Sequence, residues 1–234
     1  MIDGDSNREY LGLLIETDAL VKMLHDSRFT IVDTRSNEEY IRGHIPNSVN
    51  VPNNTIKAQD NPTHVMQGGE LSSLMLSLGI NDNTHVIAYD DNFGLNATRL
   101  WWVLEYSGHT ACSILDGGWV KWVNEEKEIS AAIPDISGDG TFTTKLKDEV
   151  FCDIDRLKRS IKDESVFLWD VRSEAEYAGD NARNNNRVGH VPGAINLEWL
   201  NSVDNSTHVF KSTRDIRNMF LDIGIDLSKE IITY

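Results

Sequence analysis

Cysteine is scarce in this sequence, since Cys112 and Cys152 are the only two among 234 residues. A chain of this length with two cysteines is not a disulfide scaffold, and no spacing of cysteine or histidine typical of a metal site appears. No apolar run approaches the roughly 18 residues that a membrane-spanning helix requires. Residues 1–10 carry acids and no apolar segment, so we expect no signal peptide and a cytoplasmic protein.

Basic residues are also few, with 22 lysines and arginines against 37 aspartates and glutamates, and the formal net charge at pH 7 is −15. An acidic surface repels phosphate backbones, so the composition argues against nucleic-acid binding. An anionic substrate would need a locally positive pocket, because the field of the whole protein would not attract it. Neither a membrane contact nor a metal or other cofactor is implied.

An internal repeat organises the chain. The pattern Asp-x-Arg-Ser-x-x-Glu-Tyr occurs at residues 33–40 and again at 170–177. Further along, Gly-His-Ile/Val-Pro-x-x-x-Asn occurs at 43–50 and at 189–196, with an insertion around 179–187 in the second copy. Three shorter matches follow in the same order at a nearly constant offset. Such an ordered series indicates two homologous domains.

The repeat places the first domain at residues 1–129 and the second at 145–234. Between them, residues 130–144 contain proline and glycine with little apolar periodicity, which is typical of a linker. Residues 90–129 of the first copy have no counterpart in the second. We therefore predict that the second domain is incomplete in this sequence.

Each copy alternates strand and helix patterns. Short apolar runs end at Asp33 and Tyr89 in the first copy and at Asp170 and Tyr234 in the second, which is typical of buried parallel strands. Amphipathic helices are predicted at about residues 17–25, 69–78, 153–161 and 213–223. The alternation predicts an α/β fold, with a mostly parallel sheet flanked by helices in each domain.

The first copy continues past Tyr89 with further elements. Asn96 is the predicted cap of a helix that runs to Ser107. A strand at 111–115, a glycine turn and a last helix containing Trp119 follow.

These motifs resemble the rhodanese family. The pair of patterns described above is the family's signature, and residues 89–92, 99–102, 108–109 and 115–119 are similar to the inactive first domain of tandem thiosulfate and 3-mercaptopyruvate sulfurtransferases. The resemblance covers nearly the whole chain. It implies two rhodanese-like domains and a reaction that moves sulfane sulfur from a small anionic donor, through a cysteine persulfide, to cyanide or a thiol. Thiosulfate is the preferred donor and 3-mercaptopyruvate the alternative.

The resemblance also implies a position for the nucleophile. The family's catalytic cysteine follows the strand equivalent to residues 231–234, so it is expected directly after Tyr234. A modified cysteine, a stop codon and a selenocysteine codon are the alternative explanations for a sequence that stops at this position. Asp90 occupies the aligned position in the first domain and cannot carry sulfur. Cys112 in a buried strand and Cys152 at a helix start are not expected to replace the nucleophile. A chain truly truncated at Tyr234 would be expected to need a partner chain.

The remaining candidate site residues divide into two groups. Arg187, and less favourably Arg183, are candidates for binding the oxygens of an anionic donor. A second group is expected to hold the loops through ion pairs and hydrogen bonds, because its members recur in both copies: Asp33, Arg35, His44, Asp170, Arg172 and His190. Glu174 and Glu176 are expected on a solvated helix face.

Two other functional classes stay open at this point. A non-catalytic rhodanese module that binds or scaffolds partners would lack the nucleophile altogether. A phosphatase or arsenate reductase on the same fold would need a longer loop to admit a tetrahedral oxyanion, and the tandem layout argues against it.

Overall fold

The structure, a computed structural model, describes residues 11–58 and 64–234 and divides the chain into two compact units. Unit 1 ends at Lys147, and unit 2 comprises Asp148–Tyr234. Each unit is built around a parallel sheet with helices against it, as the sequence predicts.

Unit 1 contains a five-stranded sheet in the order β1-β5-β4-β2-β3, with every pair parallel. Its strands are β1 (Leu14–Ile15), β2 (Phe29–Asp33), β3 (Val49–Asn50), β4 (His85–Tyr89) and β5 (Cys112–Leu115). Its helices are α1 (Thr17–Val21), α2 (Asn37–Arg42), α3 (Gly68–Ser77), α4 (Leu95–Tyr106) and α5 (Gly118–Asn124). The register pairs Asp33 with Tyr89, so the carboxyl ends of β2 and β4 meet at one edge of the sheet.

Unit 2 repeats the centre of this arrangement. Its sheet has the order β7-β6-β8, parallel throughout, which corresponds to β3-β2-β4 of unit 1. The elements are α6 (Ile154–Ser160), β6 (Val166–Asp170), α7 (Glu174–Ala178), β7 (Ile195–Asn196), α8 (Thr213–Asp222) and β8 (Glu230–Thr233), with 3₁₀ helices at Asp148–Val150 and Trp199–Ser202.

The apolar runs that mark the central strands form the cores of the units. In β4, Val86, Ile87 and Ala88 are fully buried, because the strand lies between two neighbours and under helices. In unit 2, Leu168 of β6 and Ile232 of β8 pack with Ala194 in a smaller core. In each unit the two central strands end at the same edge of the sheet. The polar residues that follow these strands therefore lie at that edge.

The start of α4 differs from the prediction. Asn96 lies inside the first turn, and the capping position belongs to Gly94, which adopts a left-handed conformation (φ 83°). The backbone N–H of Asn96 instead donates to the carboxylate of Asp90. The cap is thus supplied from outside the helix by Asp90, the residue directly after the preceding strand, and helix-start patterns do not contain this contact.

The predicted linker packs against unit 1. His44 and Ser130 exchange two backbone hydrogen bonds at 2.8 and 2.9 Å. Phe142 is buried with its ring 5.2 Å from that of His109. The carboxylate of Asp82 accepts hydrogen bonds from the backbone N–H of Thr143 and from two threonine hydroxyls. Residues 130–144 are therefore held by unit 1, and the division between the units falls after Lys147.

His85 and His109 lie near the amino ends of β4 and β5. Burial lowers the pKa of His85, and the nearby charge of His109 lowers it further. Burial also lowers the pKa of His109, against an opposing backbone hydrogen bond to Thr84. As the pH falls, the unfolded chain therefore binds protons at these two histidines before the folded chain does. Stability that is present above the ordinary histidine pKa of about 6.5 is lost as the pH falls below it.

We expect the free energy of unfolding of unit 1 to decrease as the pH falls below about 6.5 because of these two side chains. The double variant H85Q/H109Q should show a smaller decrease over the same range. Denaturant titrations at a series of pH values measure both slopes. Equal slopes for the two proteins would contradict the assignment of the effect to these histidines.

Candidate functional site

Asp33 ends β2 as a buried charge that holds the loop after the strand. Its carboxylate accepts hydrogen bonds from Nε and Nη2 of Arg35 at 3.0 and 2.6 Å. Nη2 of Arg35 also donates to the carbonyl of Gly43 at 2.8 Å, and the guanidinium carbon lies 3.9 Å from the ring centre of Trp119. The Tyr89 hydroxyl donates to the same carboxylate at 2.6 Å. Burial and the Asp33 charge raise the pKa of Tyr89 far above its ordinary value, so this hydroxyl keeps its proton.

Unit 2 contains the same network. Nε and Nη2 of Arg172 donate to Asp170 at 3.0 and 2.5 Å, and Nη2 donates to the carbonyl of Gly189 at 2.9 Å. Although burial raises the pKa of Asp170, the hydrogen bonds from Arg172 lower it overall. The Tyr234 hydroxyl accepts the N–H of Val191 at 2.9 Å, as the Tyr89 hydroxyl does in unit 1 from Ile45. The equivalence of the two networks supports a structural role for both ion pairs.

An asparagine that the sequence analysis did not single out completes each network. Nδ2 of Asn50 donates to the carbonyls of Asp33 and Arg35 at 2.9 and 3.1 Å. Nδ2 of Asn196 makes the matching pair of bonds in unit 2 at 3.0 and 2.8 Å. Both asparagines are the last residue of the second repeated pattern, and that position was the signal that could have identified them.

The two repeated histidines also bind their loops. Nδ1 of His44 lies 2.8 Å from the carbonyl of Tyr40, whose ring stacks on the imidazole at 3.9 Å. Nε2 of His44 lies 3.1 Å from the carbonyl of Ala132. His190 repeats the first contact, with Nδ1 2.8 Å from the carbonyl of Tyr177, and is exposed. In unit 1 both ring nitrogens face carbonyl oxygens, so neither is placed to take a proton from a substrate.

Asp90 lies at the centre of an anion cradle, the four backbone N–H groups of Asn92, Gly94, Asn96 and Ala97 that converge on its carboxylate. Oδ1 accepts from Asn92 and Gly94 at 2.9 Å each, and Oδ2 accepts from Asn96 and Ala97 at 2.7 and 3.0 Å. The carboxylate belongs to a residue that is 2% exposed. The last two donors form the first turn of α4, where the helix dipole also favours a negative charge.

The predicted anion-binding arginines lie in the insertion between α7 and β7. The side chain of Arg187 is exposed and makes no hydrogen bond or ion pair within the described part of the chain. The Arg183 side chain is also largely exposed, but its Nε lies 3.2 Å from Oε2 of Glu176. The structure thus distinguishes an anchored arginine from one that projects into solvent.

Glu176 corrects a prediction. The residue is 4% exposed and does not lie on a solvated face, unlike Glu174, which does. Its carboxylate accepts the Ser173 hydroxyl at 2.8 Å and the Ser173 N–H at 3.4 Å, forming a capping box at the start of α7. The capping box brings the side chain back over the helix start, and the insertion then covers it. Helical spacing alone does not predict the second contact, which is that of the insertion with Glu176.

Neither cysteine of the sequence has the surroundings of a reactive thiol. Cys112 lies inside β5, and burial raises the pKa of its thiol far above the ordinary value. Cys152 precedes Asp153, the residue that caps α6, and burial is the main cause of its raised pKa. The thiolate is the nucleophilic form of cysteine, so both environments disfavour attack.

The structure was also searched for metal sites and membrane spans. Among residues 11–58 and 64–234, no group of three or more histidine, cysteine, aspartate or glutamate side chains could hold a metal ion. Over the same residues, no helix combines the length and the apolar character that a membrane span requires.

The repeated networks and the anion cradle agree with the comparison to known families. The model of the rhodanese-like domain matches residues 16–125 and 153–234, one match in each unit. The chain belongs to the rhodanese-like domain family. In this chain, Asp33, Arg35 and their counterparts in unit 2 contact the loops at the carboxyl edge of each sheet.

Similar rhodanese-like proteins carry sulfurtransferase names. The thiosulfate sulfurtransferase of Azotobacter vinelandii is 31% identical over 226 residues, which cover 96% of this chain and 82% of that protein. The 3-mercaptopyruvate sulfurtransferase of Escherichia coli strain K12 is 26% identical over 232 residues, covering 93% and 82% respectively. The crystal structure of SseA from Escherichia coli matches with a TM-score of 0.85 and 24% identity, over 95% of this chain and 88% of that one. That structure supports the fold.

Asp90→Asn should destabilise unit 1 by roughly 3 kcal/mol, because the amide group would face two backbone donors that now bind a charged oxygen. Chemical denaturation of the two proteins measures the difference. Asp91→Asn is the neighbouring control. Burial and the charge of Glu39 raise the pKa of Asp91, so removing its charge should leave stability equal or higher. Equal losses in both variants would contradict a specific role for the Asp90 carboxylate.

Arg35→Ala should cost about 3–5 kcal/mol of unit 1 stability, because it leaves the Asp33 carboxylate buried without its partner. The matched variant Arg172→Ala should cost unit 2 less. The reason is exposure, since the side chain of Arg35 is 3% exposed and that of Arg172 is 29% exposed. Hydrogen exchange resolves the opening free energy of each unit separately. A larger loss in unit 2 would show that burial does not decide the strength of these pairs.

Proposed function

We propose that this protein is a sulfurtransferase that carries sulfane sulfur on a cysteine directly after Tyr234. The donor is thiosulfate, with 3-mercaptopyruvate as the alternative, and the acceptor is cyanide or a thiol. The names of the rhodanese-like relatives support the class of reaction, and the thiosulfate enzymes of Azotobacter vinelandii and Pseudomonas aeruginosa, each 31% identical, favour thiosulfate.

The observation that carries this proposal is the anion cradle around Asp90. Asp90 follows Tyr89 at the end of β4. Tyr234 makes the contact in unit 2 that Tyr89 makes in unit 1, so a cysteine after Tyr234 would correspond to Asp90. The four N–H groups that bind the Asp90 carboxylate would, in an equivalent loop of unit 2, face a sulfur anion. Converging backbone donors and a helix N-terminus stabilise a thiolate and the terminal sulfur of a persulfide for the same electrostatic reason.

The chemistry is a transfer in two displacement steps. The cysteine thiolate attacks the outer sulfur of thiosulfate, forming a new S–S bond as the bond to the sulfonate sulfur breaks, and sulfite leaves with the electron pair. Cyanide then attacks the outer sulfur of the persulfide, giving thiocyanate and the original thiolate. The negative charge stays on the enzyme sulfur between the steps, where the cradle would hold it without moving a proton.

The cationic side chains that would receive the donor belong to the insertion of unit 2. Thiosulfate and sulfite carry their charge on oxygens that guanidinium groups bind well. Arg183 and Arg187 are exposed on this loop, and they supply local positive charge in a protein whose formal net charge is −15. An acidic protein needs such local charge to admit an anion.

Intact-mass measurement of the native protein tests the proposal. Incubation with thiosulfate should add the mass of one sulfur atom, and cyanide should remove it with release of thiocyanate. Serine in place of the cysteine proposed after Tyr234 should abolish the gain in mass. Cys152→Ser is the control, because its thiol is accessible but is not the proposed nucleophile, so this variant should keep the gain. A folded native protein that takes up no sulfur would contradict the proposal and favour a non-catalytic binding module.

A further inference from the structure

Two glutamates at equivalent positions of the repeat have different partners. Glu39 and Glu176 each form a capping box, with Ser36 at the start of α2 and with Ser173 at the start of α7. In unit 1 the second neighbour of this carboxylate is Asp91, to which Glu39 is hydrogen-bonded. In unit 2 the second neighbour is Arg183. The same helix start therefore presents a pair of carboxyl groups in one unit and an ion pair in the other.

The contact of Glu39 shows which way this carboxylate faces. Asp91 directly follows Asp90, so it belongs to the rim of the anion cradle. Glu39 thus points from α2 to the loop that follows β4. Since α7 and its capping box repeat α2, the carboxylate of Glu176 faces the equivalent place after β8, beside the position proposed for the sulfur. A bare carboxylate there would repel an anionic donor.

The ion pair with Arg183 neutralises that charge. Glu176 is a rigid anchor, because its side chain is 5% exposed and is also bound by the Ser173 hydroxyl. It is Nε of Arg183 that contacts the carboxylate at 3.2 Å. The Arg183 side chain as a whole is 69% exposed, so the guanidinium remains open to a ligand. A guanidinium held in this way presents two donors in one plane, which suits two oxygens of a sulfonate or sulfite group.

We propose that Glu176 is a positioning residue that holds Arg183 at the rim of the donor site, and that Arg183 binds the oxygens of the anionic donor. Arg187 has no such anchor, so its side chain must be ordered by the ligand itself at an entropic cost. As far as the identity of the donor is concerned, this inference rests on the proposed sulfurtransferase function. The existence of an anion site at Arg183 does not depend on turnover.

The test measures the affinity of the sulfur-free, full-length protein for sulfite by calorimetry. Arg183→Ala should weaken binding about tenfold, because one charge-assisted contact is lost. Glu176→Gln should weaken it about fivefold when Arg183 is present. In the Arg183→Ala background Glu176→Gln should not weaken binding further and should strengthen it, because the carboxylate left without its arginine repels sulfite and supports binding only through Arg183. Arg183→Lys should restore part of the affinity.

Glu39→Gln is the matched control, since it changes the same capping box in unit 1, where no arginine follows. It should leave sulfite affinity unchanged. The inference is wrong if Arg183→Ala alters the affinity by less than about twofold, or if the effects of the two unit 2 variants simply multiply, because both results would mean that Glu176 acts only on its helix.

Turnover separates this inference from the function it builds on. With an active wild type, Arg183→Ala should raise KM for thiosulfate about tenfold and leave kcat nearly unchanged, since the contact is with the donor's oxygens in both ground and transition states. A protein that binds sulfite through Arg183 yet transfers no sulfur would support the anion site and contradict the sulfurtransferase proposal. An active protein whose sulfite affinity does not depend on Arg183 would contradict the anion site and support the sulfurtransferase proposal.

Discussion

Asp33 is a fully buried carboxylate at the end of a central strand, and the loops at that edge of unit 1 are arranged around its charge. The guanidinium of Arg35 neutralises it and reaches on to the carbonyl of Gly43, while Tyr89 binds it from the neighbouring strand. A buried charge is tolerated only when such partners are complete. The network therefore fixes the relation between the loop after β2 and the end of β4, and Asp170 does the same in unit 2.

A rigid strand end is what the proposed chemistry requires. Because Tyr89 is held by the Asp33 network, the next residue, Asp90, enters the loop at a defined position and meets four backbone donors. The donors are part of the main chain, so they cost little reorganisation when a charge is present. Unit 1 supplies that charge from its own carboxylate and is complete without a ligand. The same loop geometry with a cysteine would be a sulfur-binding site.

The two units share this scaffold and differ in the charges near it. At the start of the helix that follows β2, unit 1 places Glu39 beside Asp91. At the start of the helix that follows β6, unit 2 places Glu176 beside Arg183. The first arrangement is a pair of carboxyl groups, whereas the second is an ion pair whose arginine is largely exposed. One insertion, which adds an arginine over an existing capping box, makes that difference, because the capping box already orients the glutamate in both units.

The sequence by itself determined that the chain contains two homologous α/β domains and the bounds of β2 and β6, because repeats and apolar runs can be read directly from the order of the residues. The position of the nucleophile came from the resemblance to the rhodanese family and stays a prediction. The sequence did not predict that Asp90 caps α4 in place of Asn96, that Glu176 is buried, or that residues 130–144 pack on unit 1. Each of those depends on groups that approach one another only after the chain folds. Only the tertiary structure decided them, because burial and backbone donors carry no sequence signal of their own.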